Sequence, residues 1–238
     1  MKLNKQFSIT GYTLKMIAII TMLIDHIGAF TLGEGLLYQD YVQNNPVLFQ
    51  NLKILYIVMR QIGRLAFPIF CFLLVEGFLH TKNVRKYALR LLLFAFISEV
   101  PFDLAIGGTF FDFSQQNIFF TLFIGLLVMI AASHFEGKIL FQLIIFIIGM
   151  LSGYLLNVDY SYMGIFLLEV LYFFRFNRRN QVCSGAISVL WEPAAALSFI
   201  PIWFYNGERG RSMKYFFYWF YPVHILILAA VNMIFFTN

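Results

Sequence analysis

Apolar stretches long enough to cross a lipid bilayer recur along the whole of this 238-residue chain. A membrane-spanning helix needs roughly 17–25 mostly apolar residues, and turn-like, charged or glycine-containing breaks separate eight candidates. They are residues 14–32, 64–80, 87–105, 117–133, 138–156, 161–176, 184–203 and 217–236. A soluble domain with one large core does not repeat long uncharged runs in this way. The sequence therefore predicts an all-α membrane helical bundle of about eight transmembrane helices.

The composition agrees with a polytopic membrane protein. Hydrophobic residues make up 61% of the chain and charged residues only 12%, whereas soluble domains carry about 25% charged residues. No Ser- or Pro-rich linker interrupts the series, so residues 1–238 are predicted to form one domain. Residues 46–60, which include Lys53 and Arg60, are predicted to form an extra interfacial helix that leads into the second span.

The first apolar run is predicted to be a retained helix and not a cleaved signal peptide. It is longer than the apolar region of a signal peptide, it contains Asp25 and His26, and no small-residue cleavage pattern follows it.

The distribution of lysine and arginine predicts the orientation of the bundle. Eleven of the 17 basic residues fall in the N-terminal segment and around the loops after the second, fourth and sixth spans. Because cytoplasmic loops carry an excess of Lys and Arg, these segments and both termini are predicted to face the cytoplasm. The opposite loops carry Glu34, Asp40, Asp112 and Asp159. One basic loop, residues 208–214, is an exception because this count places it outside.

Two binding functions are excluded by the pattern of residues. The net charge of +5 does not indicate nucleic acid, because the basic residues cluster in short loops beside apolar spans and form no face that tracks phosphates. No metal site is predicted, because the four histidines are unpaired in sequence and Cys71 and Cys183 lack metal-ligand spacing. Both cysteines are predicted to be buried thiols.

The adjacent pair Asp25 and His26 is the most unusual feature of the first span. An aspartate at the centre of a membrane helix costs about 2.5–3.5 kcal/mol, so ionisable residues at that depth are candidates for function. Successive helical residues point about 100° apart, and Asp25 therefore need not hydrogen-bond His26. One of the two could orient a neighbouring helix while the other faces substrate.

Polar residues from other spans are predicted to lie at the same depth as this pair. Together they are expected to line a polar cavity open toward the outer half of the membrane. The set comprises Arg64, Glu99, Asp103, Asn117, Tyr205, Asn206, Gly207, Tyr221, Pro222 and His224. A smaller inner set contains Glu76, Arg90 and Glu169, and Glu192 precedes Pro193 near the middle of the seventh span. For Glu76, Arg90 and Glu99 the alternative is that they form ion pairs that only join helices. His80 and His134 lie at loop edges, where no functional role is expected.

These residues favour transfer chemistry that uses a histidine base. Histidine titrates near neutrality and is the usual general base. The sequence contains no G-x-S-x-G nucleophile elbow, no H-E-x-x-H motif and no P-loop. A base without an evident protein nucleophile suits direct transfer, in which an amine or hydroxyl is deprotonated and attacks an activated acyl group.

Motifs along nearly the whole chain resemble those of the TraX family. The resemblance rests on Leu14–Ala18 with Met22–Gly28, Arg60–Phe70 with Val75–Phe78, His80-Thr81, Tyr87 with Arg90-Leu91, Pro101-Phe102, Gln116-Asn117, Pro201, Tyr205–Gly207, Phe216–Tyr218 and Tyr221–His224. The namesake of the family is associated with N-terminal acetylation of conjugative pilin at the bacterial inner membrane. The family is also similar in outline to larger membrane acyltransferases that use acetyl-CoA from the cytosol to modify an acceptor on the far side.

The resemblance implies an acetyl-CoA-dependent membrane acyltransferase in the bacterial cytoplasmic membrane. His26 would then be the acid/base residue, supported by Asp25 and Arg64. Six residues would bind the substrate: Glu99, Asn117, Tyr205, Asn206, Tyr221 and His224. The phosphates of CoA would meet Arg85, Lys86, Arg90 and Arg178, although cytoplasmic anchoring alone predicts the same charges.

Two other classes of function remain open from the sequence. Intramembrane acids and a histidine could form the relay of a small-molecule or proton-coupled transporter, although no inverted repeat is detectable. The chain could instead be a non-catalytic assembly factor of an envelope complex. The acyl acceptor is equally open: a peptide amine, a glycan, a lipid or a small molecule would suit these residues.

Overall fold

Helices account for all regular structure in residues 8–236, the part of the chain that the computed structural model describes, and no β-strand occurs there. The α-helices are α1 Gly11–His26, α2 Asp40–Gln43, α3 Pro46–Gly63, α4 Ala66–His80, α5 Val84–Gly107, α6 Ile118–Ser133, α7 Ile139–Leu155, α8 Ser161–Phe173, α9 Arg178–Ser188, α10 Phe199–Trp203 and α11 Lys214–Phe235. A π-helix, Ile27–Gly35, continues α1, and 3-10 helices occupy Leu36–Tyr38 and Pro193–Ser198.

Side-chain caps fix where several of these helices begin. In five of the described helices a side-chain oxygen of the preceding residue accepts a hydrogen bond from a backbone N–H of the first turn. The capping residues are Thr10 for α1, Asn45 for α3, Asn83 for α5, Asn117 for α6 and Asn177 for α9. Short polar side chains favour this position because the first N–H groups of a helix have no partner within it.

Three helices in the described residues are long and apolar enough to cross a membrane by length and composition. They are Gly11–Tyr38, Pro46–His80 and Lys214–Phe235. Shorter apolar helices cover Ile118–Ser133, Ile139–Leu155, Ser161–Phe173 and Pro193–Trp203. The all-α bundle is thus confirmed, but the predicted count of eight spans is not.

Helices α3 and α4 form one broken helix that returns alongside α1. Gly33 packs on Tyr56, Gly28 on Met59 and Gly63 on Asp25, so α3 runs antiparallel to the π-helix and the end of α1. The chain then bends at Arg64 and continues as α4. Residues 46–60, predicted as a separate interfacial helix, are instead the first part of this broken helix.

The predicted seventh span, residues 184–203, is a helical hairpin that returns to the end from which it started. At the start of α9, Arg178 contacts Glu76 near the end of α4. Further along, Glu192 contacts Arg64 just before the start of α4, so the chain has moved along the length of α4 by this point. It then turns at Pro193 and comes back through α10. Proline cannot donate a backbone hydrogen bond and breaks a helix interior, so the prediction of one continuous helix here is wrong.

This hairpin changes the arrangement of the ends. Backbone N–H groups of Ile9 and Gly11 donate to Phe204 and Glu208, so the loop after α10 lies beside the start of α1. Helix α11 leaves from that loop parallel to α1, and Gln39 reaches the carbonyl of Phe236 at the opposite end. Residues 8 and 236 therefore lie at opposite ends of the bundle, which disagrees with the prediction that both termini face the same side.

We call the end that holds the starts of α1, α5 and α11 the basic end, and the opposite one the far end. All described lysines and arginines except Lys53, Arg60 and Arg64 lie in loops at the basic end or within two helical turns of it. The loop 208–214, which the sequence count placed outside, belongs to this set and is no longer an exception.

The core lies between α4, α6, α8 and the hairpin. Ile69, Phe72, Leu126, Ile165 and Leu168 have no exposed surface. Large apolar side chains of α7, such as Leu140 and Ile147, are about two-thirds exposed, as expected for a surface that faces lipid. Cys71 is buried as predicted, whereas Cys183 is exposed, so the prediction of a buried thiol there is wrong.

Candidate functional site

A cavity of about 910 Å³ runs through the bundle and is lined by charged and aromatic side chains. At the basic end it is lined by Lys15, Lys82, Arg90, Arg209 and Lys214. Its middle is lined by Asp25, His26, Arg60, Arg64, Asp159, Tyr160 and Tyr221, and its far end by Glu34, Tyr56, Ile106 and Gln115. One continuous space thus joins a positively charged mouth to the opposite end of the bundle.

His26 and His224 form a direct hydrogen bond in the middle of the bundle. The Nδ1 atom of His26 lies 2.6 Å from Nε2 of His224. The ring planes are 7° apart and their centroids 4.9 Å apart. With the two nitrogens only 2.6 Å apart, this centroid separation means that the rings meet edge to edge, nearly in one plane. His224 Nδ1 in turn lies 2.6 Å from the carbonyl oxygen of Phe220.

The carbonyl of Phe220 fixes the tautomers of both neutral rings. A carbonyl oxygen only accepts, so His224 must carry its proton on Nδ1 and present an unprotonated Nε2. That nitrogen accepts from Nδ1–H of His26, which leaves Nε2 of His26 without a proton. The chain Phe220–His224–His26 therefore presents a basic nitrogen on a residue that lines the cavity.

His26 stands where α1 changes into a π-helix. α1 ends at His26, and nine residues of π-helix follow. The π-helix is rare, and π turns within α-helices frequently occur at functional sites. Aromatic rings surround the imidazole on two sides, with Phe30 at 5.4 Å and Tyr221 at 5.9 Å between ring centroids.

Asp25 pairs with Arg60, a residue that the sequence analysis did not place in the site. Arg60 Nη1 lies 2.6 Å from Asp25 Oδ2. The carboxylate reaches this position because Gly63 has no side chain: a Cβ added there would overlap Asp25. Asp25 thus joins α1 to α3 beside His26, and its Oδ1 is buried without a hydrogen-bond partner among the described residues.

Arg64 links the cavity wall to the tip of the hairpin. Its Nε lies 3.1 Å from Glu192 Oε1, and its Nη1 lies 3.5 Å from the hydroxyl of Tyr160. The ring of Tyr160 stacks on Phe67 with centroids 3.9 Å apart. Arg64 therefore lies in the cavity, as predicted, and contacts the α7–α8 loop and the hairpin. Arg60, and not Arg64, forms the ion pair with Asp25.

Glu99, Asn117 and Asp103 lie outside the cavity lining. Asn117 is fully buried, caps α6, and donates through Nδ2 to Glu99 and to the carbonyl of Ala95 at 2.8 Å. Asp103 accepts a hydrogen bond from the backbone of Asp112. These contacts join α5 to α6 and to the loop between them. Glu99 therefore joins helices, as the alternative proposed, but through a hydrogen bond from Asn117 and not through an ion pair among the described residues.

The tyrosines and asparagine predicted to bind substrate occupy different levels. Tyr221 lines the cavity beside His26. Tyr205 also lines it, but near the basic end, where Arg178 lies 5.2 Å from its ring. Asn206 is exposed and closes a turn with Glu208.

Only one of the four residues predicted to meet CoA phosphates lines the cavity. Arg90 does so, whereas Arg85 and Lys86 are exposed on the first turn of α5 outside the lining. Arg178 pairs with Glu76 at 3.5 Å and covers the ring of Phe72.

Three residues in the middle of the cavity were not predicted as site residues. Arg60 precedes Arg64 by one helical turn, a spacing that places both on one face and could have indicated it. Asp159 and Tyr160 lie in the α7–α8 loop, and no local pattern in the sequence connects that loop with Arg64. Burial raises the pKa of Asp159 to about 6, against the lowering effects of the Tyr160 N–H and Arg64.

Comparison with known proteins gives a consistent result. The family model described as TraX protein matches residues 10–232. A Dichelobacter nodosus protein named Probable fimbrial assembly protein FimC, serogroup H1, is 29% identical over 262 aligned residues, covering 97% of this chain and 99% of the relative. No solved structure matches.

Proposed function

Because this chain belongs to the TraX family, we propose that it is an integral-membrane acyltransferase that moves an acetyl group from acetyl-CoA to an amine or hydroxyl acceptor. The observation that carries the proposal is the hydrogen-bonded series from the Phe220 carbonyl through His224 to His26, which lines a cavity that reaches both ends of the bundle. With both rings neutral, this series leaves Nε2 of His26 free to accept a proton. A positioned base contributes about 10²–10⁴-fold to a rate, and a cavity with two mouths lets donor and acceptor approach from opposite sides.

The basic end is proposed to face the cytoplasm and to receive acetyl-CoA as a substrate. Its mouth collects Lys15, Lys82, Arg90, Arg209 and Lys214 around one opening, and lysine and arginine are the usual partners of phosphates. The excess of positive charge at this end also agrees with the positive-inside rule in a bacterial cytoplasmic membrane. The N-terminal side of α1 would then be cytoplasmic, and the C-terminal end of α11 would face outward.

The acceptor is proposed to be the amino terminus of a pilin-type subunit that enters from the far end. Support comes from the name of the Dichelobacter nodosus relative, a probable fimbrial assembly protein.

His26 would act first as a base and then as an acid. Its Nε2 takes a proton from the ammonium of the acceptor, and the freed amine attacks the thioester carbonyl to form the C–N bond. The C–S bond then breaks, and the departing thiolate of CoA receives the proton held on Nε2. The second ammonium proton leaves to solvent, which yields the acetylated amine, CoA thiol and one free proton. Asp25 and Arg60 keep their mutual ion pair beside this exchange.

The test is acetyl transfer by purified protein in lipid nanodiscs. Labelled acetyl-CoA and a short peptide amide with a free N-terminus are supplied to wild type, His26→Gln and His134→Gln. His134 is exposed at the end of α6 and serves as the matched control. We expect His26→Gln to lose at least about 10²-fold in rate and His134→Gln to match wild type. Equal rates in all three proteins would refute the role of His26.

The continuous cavity also favours a second candidate, a transporter. That function requires net passage of a solute between the two mouths. Uptake of labelled peptide into proteoliposomes without acetyl-CoA and without acetylation would support transport. Acetylation that depends on His26 would support the transferase.

A further inference from the structure

Among the carboxylates that line the cavity, Asp159 is distinguished by the absence of a cationic partner. Asp25 is paired with Arg60, and Glu76 with Arg178. Glu34 is exposed at the far mouth. Within residues 8–236 no lysine, arginine or histidine lies within ion-pair distance of Asp159.

The position of Asp159 is fixed by three hydrogen bonds. Its backbone N–H donates to the carbonyl of Gln116 at 2.8 Å, and its own carbonyl accepts from the hydroxyl of Thr121 at 2.6 Å. Its side-chain Oδ1 accepts from the backbone N–H of Tyr160 at 3.0 Å. These bonds leave Oδ2 without a partner among the described residues, on a side chain that lines the cavity.

The loop that carries Asp159 has an unusual backbone. Asn157, Tyr160 and Ser161 have φ values of 50°, 59° and 48°, a region that costs non-glycine residues about 1–3 kcal/mol each. Tyr160 is nevertheless held by its stack on Phe67 and by its hydroxyl beside Arg64. Strained residues that surrounding contacts hold in place cluster at active sites and ligand clamps.

Building on the proposed transferase function, we propose that Asp159 is the residue that binds the acceptor, with Oδ2 receiving the ammonium group that His26 then deprotonates. Asp159 precedes Tyr160, whose hydroxyl lies 3.5 Å from Arg64. Gly63, the residue before Arg64, packs on Asp25, so Asp159 lies with the group around His26. Both an ammonium and a hydroxyl can donate a hydrogen bond to this carboxylate, but only the ammonium adds the attraction between opposite charges, so it gains more from Asp159.

Protonation agrees with that assignment. Burial raises the pKa of Asp159 to about 6, so the carboxylate is mostly ionised at pH 7, and no cation of residues 8–236 lies within ion-pair distance of it. A bound ammonium supplies the counter-charge and holds the carboxylate in its ionised form.

The test compares two peptides of the same shape in steady-state kinetics. One is a short alanine peptide amide with a free amino terminus, and the other carries a lactyl group there, so that a hydroxyl replaces the ammonium. We expect Asp159→Asn to raise KM for the amine peptide about 10–100-fold. The KM for acetyl-CoA and the rate with the lactyl peptide should stay within about twofold of wild type.

Two further variants separate recognition from folding. Asn and Ser can each still accept from the Tyr160 N–H, so Asp159→Ser provides a second loop-preserving change that must give the same shift. Asp40→Asn removes a charge from the exposed start of α2 outside the cavity lining and should leave KM unchanged.

The outcomes distinguish this inference from the proposed function. If both Asp159 variants keep the wild-type KM for the amine peptide while His26→Gln is inactive, acceptor binding by Asp159 is refuted and the transferase stands. If wild type acetylates neither peptide and His26→Gln does not change acetyl-CoA consumption, the transferase itself fails.

Discussion

Substituting Gly63 by alanine tests how closely the side chain of Asp25 packs against α3. Gly63 ends α3, and a Cβ built there would overlap the side chain of Asp25. Overpacking of this kind costs about 1–3 kcal/mol. Removing one partner of a fully buried ion pair costs about 3–5 kcal/mol. Asp25 and Arg60 are 13% and 24% exposed, and the added methyl group would displace their ion pair only in part. The cost of weakening this pair is therefore about 1–2 kcal/mol.

The terms combine to a net loss of stability. Alanine is better than glycine within a helix by about 0.5–1 kcal/mol, which offsets part of the cost. We therefore expect Gly63→Ala to lower the free energy of unfolding by about 1–4.5 kcal/mol. At about 2–4 °C per kcal/mol for a chain of this size, the melting temperature should fall by about 2–18 °C.

The assay is thermal unfolding in detergent, followed by tryptophan fluorescence, together with acetyl transfer at a temperature where both proteins are folded. Gly107→Ala is the matched control, because its nearest neighbour would be Thr109 Oγ1 at an ordinary 3.6 Å. The control should melt within about 2 °C of wild type. If Gly63→Ala also melts within 1 °C and keeps full activity, the close packing of Asp25 on α3 is not as described.

Three more predictions concern capping, protonation and topology. Asn117→Ala removes a buried cap and donor and should cost about 2–4 kcal/mol in thermal unfolding, against about 1 kcal/mol for the exposed cap Asn45→Ala. Because the folded-state pKa of Asp159 is raised to about 6, its contribution to stability is present below about pH 4 and is lost as the pH rises through 6. At 1.36 kcal/mol per pKa unit this is about 3 kcal/mol, and melting curves of Asp159→Asn across that range should lack the slope. In a background without native cysteines, Arg209→Cys should be labelled from the cytoplasmic side and Asp40→Cys from the outside; labelling of both from one side would overturn the arrangement of ends.

Much of the fold follows from the sequence because hydrophobic runs and helix caps are local signals. The segment 138–156 was predicted almost to the residue, as Ile139–Leu155 shows. The hairpin at residues 184–203 was not predicted. Pro193 indicates a break in the helix, but the sequence does not show whether the chain continues across the membrane after it or turns back. Only the contacts of Glu192 and Tyr205 with other helices decide that.

The site was predicted to a similar degree. His26 and His224 were expected at one depth from the predicted orientation of the spans, and they are in contact. The direction predicted for the last span was nevertheless wrong, because α11 runs parallel to α1. The choice of Arg60 over Arg64 as partner of Asp25 depends on the absence of a side chain at Gly63 and on the bend after it. The π-helix after His26 has no recognisable pattern in the sequence, because π and α turns use the same apolar residues.

Because donor and acceptor are proposed to enter from opposite ends of the cavity, the decisive experiment is acetyl transfer across a sealed membrane. Inside-out vesicles would hold a membrane-impermeant peptide amide in the lumen, which corresponds to the far end, with labelled acetyl-CoA added outside at the basic end. We expect acetylated peptide in the lumen of wild-type vesicles and none above background with His26→Gln. Acetylation that requires donor and acceptor on the same side of the membrane would contradict this expectation.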